Sequence, residues 1–519
     1  MKQLIYQVLP RYWGSYKGAN VRSGVLSENG CGHFADIDGA SLDYIKSLGC
    51  DYVWYTGVIR HSTKCNTAGC APSHPSIVKG QAGSPYSIYD YYDVNPYLAI
   101  RPEQRMDEFR DLVRRTHEKG LKLLLDFVPN HVSRDNVNFG RDDDKSVHFS
   151  PSNDFFYYPG EALALPGTFT PTEAFPEPYT EFPAKATGND CYNSHPGIND
   201  WYETVKLNYC NYHTPTWDKM LDILLHWAGM GVDGFRCDMV ELVPVEFFKW
   251  LIAKVKESYP GLIFVAEVYK KDLYRSYIDA GFDILYDKSG MYDSLHDIIK
   301  YNLCPEAALL PWQSCKRLTS DWQFLGDMQP RMLCFLENHD ELRIASKQFA
   351  ASASNTYAAL AYALLFNDAP FMLYFGEEVG EDGSYEEGYS GKDGRSSIFD
   401  WWRIESVQRL WTYIHTGKGL TRQERSILKE YRTLLKLAGK SVFRSGRNYD
   451  LRWCNCSGTG FDPDRHSAFL RYDSKDIYLI FCNFSDKEAF CTLEIPIFEL
   501  GKVDVQAPAF GYKTMRLKF

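Results

Sequence analysis

No run of about 18 consecutive apolar residues occurs in the 519-residue chain, so no segment is long enough for a transmembrane helix. The 14 cysteines are scattered and form no dense repeating framework, which points to reduced thiols rather than a disulfide-stapled fold. No basic stripe accompanies the formal net charge of -10, so the electrostatic footprint of a nucleic-acid binder is missing and a neutral ligand is easiest to accommodate. The amino-terminal apolar stretch, Leu4 to Leu9, is too short for a secretory signal and lacks a small-residue cleavage site; it reads as a first strand. A cytoplasmic location is therefore expected. Internal repeats and low-complexity tracts are also lacking.

What is there is an ordinary globular balance, 45% hydrophobic and 24% charged, in a chain long enough for two or three domains. Eight short apolar or β-branched runs alternate with helical patterns: Leu4 to Leu9, Asp51 to Thr56, Leu121 to Val128, Val232 to Arg236, Leu262 to Ala266, Phe282 to Tyr286, Arg331 to Leu336 and Phe371 to Phe375. Met106, Phe109 and Val113 share one helical face between the second and third runs, as do Met220, Leu224 and Trp227 before the fourth. Eight strand-helix units predict an α/β fold, a (β/α)8 TIM barrel over residues 1–131 and 214–438.

Two regions depart from that rhythm. Residues 132–213 are rich in Pro, Gly, Asn and Asp, too long for a loop, and predict a small inserted domain after strand 3. Residues 439–519 change to short alternating runs such as Ile477 to Cys482 and predict a C-terminal all-β sandwich. Between the eighth run and Gly419 lie long loops, and Thr421-Arg-Gln-Glu424 reads as a capping box opening the last barrel helix.

Catalytic residues on such barrels sit at the C-terminal ends of strands. Four strand ends carry carboxylates or imidazoles: Asp126-Phe-Val-Pro-Asn-His131, Gly234-Phe-Arg-Cys-Asp238, Phe264-Val-Ala-Glu267 and Phe335-Leu-Glu-Asn-His-Asp340. In this order, on strands three, four, five and seven, they resemble the four signature regions of the α-amylase family, glycoside hydrolase family 13.

The resemblance implies a role for each matching residue. Asp238 matches the nucleophile of a retaining mechanism, Glu267 the acid/base, and Asp340 the third acid, which binds and distorts the sugar. Arg236, two residues before Asp238 on one strand, is expected to face the same interior and keep Asp238 ionised. His131 and His339 match histidines that hydrogen-bond sugar hydroxyls. Tyr86 matches the tyrosine under the reacting ring, with Asp90 supporting Arg236 or the rim. The implied activity is hydrolysis of α-1,4 bonds in starch-like α-glucans or malto-oligosaccharides, without an organic cofactor. Family members acting as transferases, phosphorylases or α-1,6 enzymes are the alternatives, and a non-catalytic carbohydrate-binding relative is a third.

Several positions depart from the family pattern. Many members hold calcium with the asparagine here numbered Asn130 and a histidine four residues after the nucleophile; Leu242 stands there instead, so the usual calcium site is not predicted. Calcium elsewhere, for instance at Asp142-Asp143-Asp144, stays open, with solvated surface the ordinary reading of that run. Met239 and Glu241 replace residues common around the leaving-group side, and Glu267 is followed by Val-Tyr in place of Val-Trp. Val205-Lys206-Leu207-Asn208 resembles a fifth family segment. Finally, His61, Cys65, Cys70 and His74 form H-x3-C-x4-C-x3-H, compatible with zinc, with a Cys65–Cys70 disulfide or with a free-thiol loop.

Overall fold

A computed structural model describes the protein at all residues except 16–17, 68–69, 211, 305–307, 390, 457–458 and 519. Eight parallel strands close into a barrel: β1 (Leu4–Val8), β2 (Tyr52–Tyr55), β3 (Lys122–Phe127), β4 (Gly234–Cys237), β5 (Ile263–Ala266), β6 (Ile284–Tyr286), β7 (Met332–Phe335) and β8 (Phe371–Tyr374). Each lies within or against the corresponding predicted run. The β1–β8 pairing, Leu4 with Phe371 through Gln7 with Tyr374, seals the barrel. Among the described residues no helix is long and apolar enough to cross a membrane.

The strands are apolar on both faces because both are covered. Alternate residues point inward, and Ile5, Trp54, Leu124, Val265, Tyr286, Phe335 and Met372 fill the barrel interior as one cluster. Their neighbours, such as Tyr6, Val53, Leu125, Phe264 and Cys334, pack outward in the larger core shared with the helices. The inward register continues past the apolar layer to Asp126, Arg236 and Glu267, which places polar groups at the C-terminal rim.

Helix Arg105–Glu118 buries Phe109, Leu112, Val113 and Thr116, one turn apart on a single face. Helix Arg422–Ala438 begins with the predicted capping box: Thr421 accepts from the Glu424 amide while Glu424 accepts from the Thr421 amide. The insertion after β3 is held by an antiparallel pair, His131–Ser133 with Thr204–Lys206, whose register sets His131 opposite Lys206.

Past the barrel, strands Arg447–Asp450, His466–Tyr472, Ile477–Asn483 and Tyr512–Leu517 form one antiparallel sheet, and Ala489–Ile495 pairs with Gly501–Ala507 in a second. Leu470, Leu479 and Phe481 of the first share a core with Cys491, Leu493 and Val505 of the second. Arg471 anchors this region to the barrel. Its buried guanidinium donates to the carbonyls of Phe366, Val442, Phe443 and Gly446, and burial lowers its pKa to about 10. Arg471→Met removes the donor to these four carbonyls and is expected to cost about 1–3 kcal/mol. A lower urea midpoint checks this; an unchanged midpoint contradicts it.

Candidate active site

Arg236 stands in the barrel interior with 0% of its surface exposed. A buried guanidinium is costly unless paired, and it is paired on every side. Nη1 donates to Asp238 Oδ1 at 2.5 Å, and Nη2 lies 2.7 Å from Glu267 Oε1 as an ion pair without hydrogen-bond alignment. Asp126 Oδ1 is 3.9 Å away, Nε donates to the Tyr286 hydroxyl at 3.3 Å, and the rings of Trp54, Tyr86 and Tyr286 lie 5.3–5.6 Å from its central carbon.

Ladder geometry sets both carboxylates. The Asp238 amide donates to Phe127 O at 2.9 Å and the Glu267 amide to Cys237 O at 3.1 Å, continuing the β3–β4 and β4–β5 pairings one step beyond the strands. The chain then turns sharply at Met239, a non-glycine residue at φ 43° and ψ 48°. That turn aims the Met239 amide at Glu267 Oε2, 2.7 Å away, while the Tyr269 hydroxyl donates to Glu267 Oε1 at 2.7 Å.

Asp340 faces this pair from the end of β7. Its carboxylate accepts from the Tyr389 hydroxyl and lies 3.1 Å from His339 Nε2. His339 in turn contacts the Tyr86 hydroxyl at 2.5 Å, and its ring stacks on that of Tyr86 at 5.2 Å. His131 packs against Trp201 of the insertion, with ring centroids 5.1 Å apart. Tyr86, His131, Asp238, Glu267, Asp340, Tyr389 and Trp201 line one cavity of about 600 Å3.

Burial governs the protonation of these groups. It drives Asp238 well above the usual carboxylate range, reinforced by Glu267 and opposed by Arg236. Arg236, whose Nη1 donates to Asp238, pulls against that rise. Burial also raises Asp340, against the pull of Arg236 and Tyr389, and raises Asp126 to about 6. It lowers His131 to about 3 and His339 well below its ordinary value, so both imidazoles are neutral near pH 7.

Seven of the eight residues singled out in the sequence meet at this cavity or its floor. Asp90 does not. Its carboxylate accepts from the Tyr92 amide and the Asn138 side chain, and the rim carboxylate facing Arg236 is Asp126, which also accepts from the Tyr86 hydroxyl at 3.4 Å. Asp90 is on strand Ile88–Val94, outside the barrel, whereas Asp126 follows the inward register of β3. Tyr389 and Trp201, in segments without periodicity, carried no signal. The His61 to His74 pattern does not converge. His61 bonds Asn95, Tyr97 and the Ala82 carbonyl, His74 bonds the Glu177 carbonyl and packs on Phe169, and Cys65 and Cys70 are free thiols. Among the described residues no group of three or more His, Cys, Asp or Glu side chains could hold a metal.

The sequence profile described as "Alpha amylase, catalytic domain" matches residues 7–409. The chain belongs to the α-amylase family. It is a glycoside hydrolase of that family. "Alpha-amylase 3" of Dictyoglomus thermophilum is 25% identical over 443 residues, 78% of this chain and 75% of that protein. "Probable oligo-1,6-glucosidase 2" of Bacillus subtilis is 27% identical over 249 residues, 46% of this chain but 35% of its own length. The solved α-amylase of Geobacillus thermoleovorans, complexed with acarbose, shares the fold with a TM-score of 0.65 at 19% identity, over 100% of this chain and 98% of that one.

Calcium, held by many α-amylase family members beside the first signature, is tested by the chemistry around Asn130. The Lys206 ammonium donates to Asn130 Oδ1 and, at 2.8 Å, to the Leu242 carbonyl, and pairs with Asp190 Oδ1 at 2.7 Å. Three N–H donors thus meet three oxygens. Calcium takes about six to eight oxygens at roughly 2.3–2.6 Å, and here a cation of the chain already sits among them. These residues do not fit the metal. Nor does the acidic run: Asp143 accepts from the amides of Asp154 and Phe155 and the Tyr157 hydroxyl, and Asp144 from Ser146. EDTA is accordingly expected to leave the thermal midpoint unchanged, whereas Lys206→Met lowers stability by about 2 kcal/mol. A midpoint that falls with EDTA and returns with calcium contradicts this account.

Proposed function

We propose that this chain is a retaining glycosidase that cleaves α-1,4-glucosidic bonds of starch-like glucans or malto-oligosaccharides through a covalent glycosyl-enzyme. The observation that carries this reading is the bridge from one guanidinium to Asp238 and Glu267 at the floor of the cavity. A pair of carboxylates drawn onto one cation fits the closer spacing used for retention, about 5–5.5 Å, better than the roughly 6.5–9.5 Å that leaves room for an inverting water.

In this reading Asp238 attacks the anomeric carbon while Glu267 protonates the departing glycosidic oxygen; Glu267 then removes a proton from water, which releases the sugar from Asp238. The two roles need Asp238 ionised for attack and Glu267 protonated for donation, with the fixed charge of Arg236 in contact with both. Asp340 accepts hydrogen bonds from sugar hydroxyls and favours the distorted ring. His131 and His339, neutral and buried, offer imidazole nitrogens to the same sugar, and Tyr86 supplies an aromatic face beside them. None of these steps calls for an organic cofactor. The acarbose complex of one solved relative supports an α-glucan ligand.

An α-1,6 specificity is the second reading, favoured by the match to the oligo-1,6-glucosidase. Product analysis on starch, maltotriose, pullulan and isomaltose separates the two. Cleavage of maltotriose with isomaltose left intact is expected, the α-anomer appearing first by proton NMR; cleavage of isomaltose alone, or a β-anomer first, overturns the assignment. Glu267→Gln is expected to lower kcat on maltotriose by about 10²–10⁴-fold.

A further inference from the structure

The turn after β4 and the segment after β5 are locked together by a residue that the mechanism above does not use. Glu241, with 8% of its side chain exposed, accepts from the backbone amides of both Tyr269 and Lys270, each at 2.5 Å. The Tyr277 hydroxyl donates to the Val240 carbonyl at 2.8 Å, and the Val240 amide to the Glu267 carbonyl at 3.3 Å. Tyr269 therefore leaves the strand end with its backbone gripped, its ring at the wall of the active cavity and its hydroxyl 2.7 Å from Glu267 Oε1.

We infer that Tyr269 is a positioning residue for the general acid, and that Glu241 positions Tyr269. Glu267 has two oxygens and three donors around it. The Met239 amide takes Oε2, and Oε1 meets the Tyr269 hydroxyl beside the ion pair with Arg236. With only Arg236 and the amide, the carboxyl could rotate toward the guanidinium and away from the departing oxygen. The phenol fixes that torsion, because its own place is set by two backbone hydrogen bonds rather than by a mobile side chain. Positioning of this kind matters most where the leaving group depends on the proton. A sugar alkoxide does; fluoride does not.

The inference rests on Glu267 being the acid, and the experiment separates the two. Values of kcat/KM, which report events up to leaving-group release, are compared on maltotriose and on α-maltosyl fluoride for the wild type, Tyr269→Phe and Glu267→Gln. Tyr269→Phe keeps the ring and is expected to lower kcat/KM on maltotriose about 10-fold, as loss of one hydrogen bond does, with the fluoride rate within about twofold. Glu267→Gln is expected to show the same asymmetry more strongly. Equal losses of Tyr269→Phe on both substrates, or none on either, with Glu267→Gln still asymmetric, overturn the positioning role alone. A Glu267→Gln variant as active on maltotriose as the wild type overturns the acid assignment itself. Glu241→Ala, checked for folding by its thermal midpoint, is expected to reproduce the Tyr269→Phe asymmetry; a fluoride rate that falls with the maltotriose rate contradicts Glu241's part.

Discussion

A single positive charge inside the barrel organises this protein. Arg236 has no access to solvent, and a guanidinium in that position is sustained only by anions and aromatic faces brought to it. The chain meets that demand from five strands: Trp54 of β2, Asp126 of β3, Asp238 after β4, Glu267 after β5 and Tyr286 of β6. The same contacts that make the charge tolerable bring two carboxylates to one point. Stability and the geometry of the site thus use one set of contacts.

From that centre the constraint spreads through backbone. The strained turn at Met239 aims an amide at Glu267, its continuation delivers Glu241 to the amides of Tyr269 and Lys270, and the Leu242 carbonyl accepts from Lys206 of the insertion. The four residues Met239 to Leu242 thus connect the paired carboxylates to the inserted segment. The Lys206 ammonium there ties the insertion to the barrel through Asn130 and the Leu242 carbonyl.

Much of this was legible in the sequence, for a physical reason. A strand covered on both faces must be apolar throughout, so each barrel strand stands out as a short run, and the polar residues after it fall at one rim; the resemblance of four such strand ends to a family's signature regions then singled out Asp238, Glu267 and Asp340. What spacing does not encode is which polar group reaches the centre. Asp90 was expected to support Arg236 or the rim, yet it lies on an outer hairpin, and Asp126 is the one on the inward register of a barrel strand. Lys206 was visible as part of a family-like segment, but its ammonium reaches Asn130 only because the return strand pairs in the register that sets it opposite His131. His61 and His74 illustrate the converse. Their spacing with two cysteines looked like a ligand set, and tertiary hydrogen bonds took both rings elsewhere.

The central claim is that the carboxylate held by Arg236 Nη1 forms the bond to the sugar. Its most direct test is to treat the protein with 5-fluoro-α-glucosyl fluoride, whose electron-poor ring slows release of a covalent intermediate, and to locate the adduct by mass spectrometry of a peptic digest. The account predicts one added 5-fluoroglucosyl group, as an ester on Asp238. An adduct on Glu267 or Asp340, or turnover of the reagent with no protein-bound sugar at any time point, would contradict it.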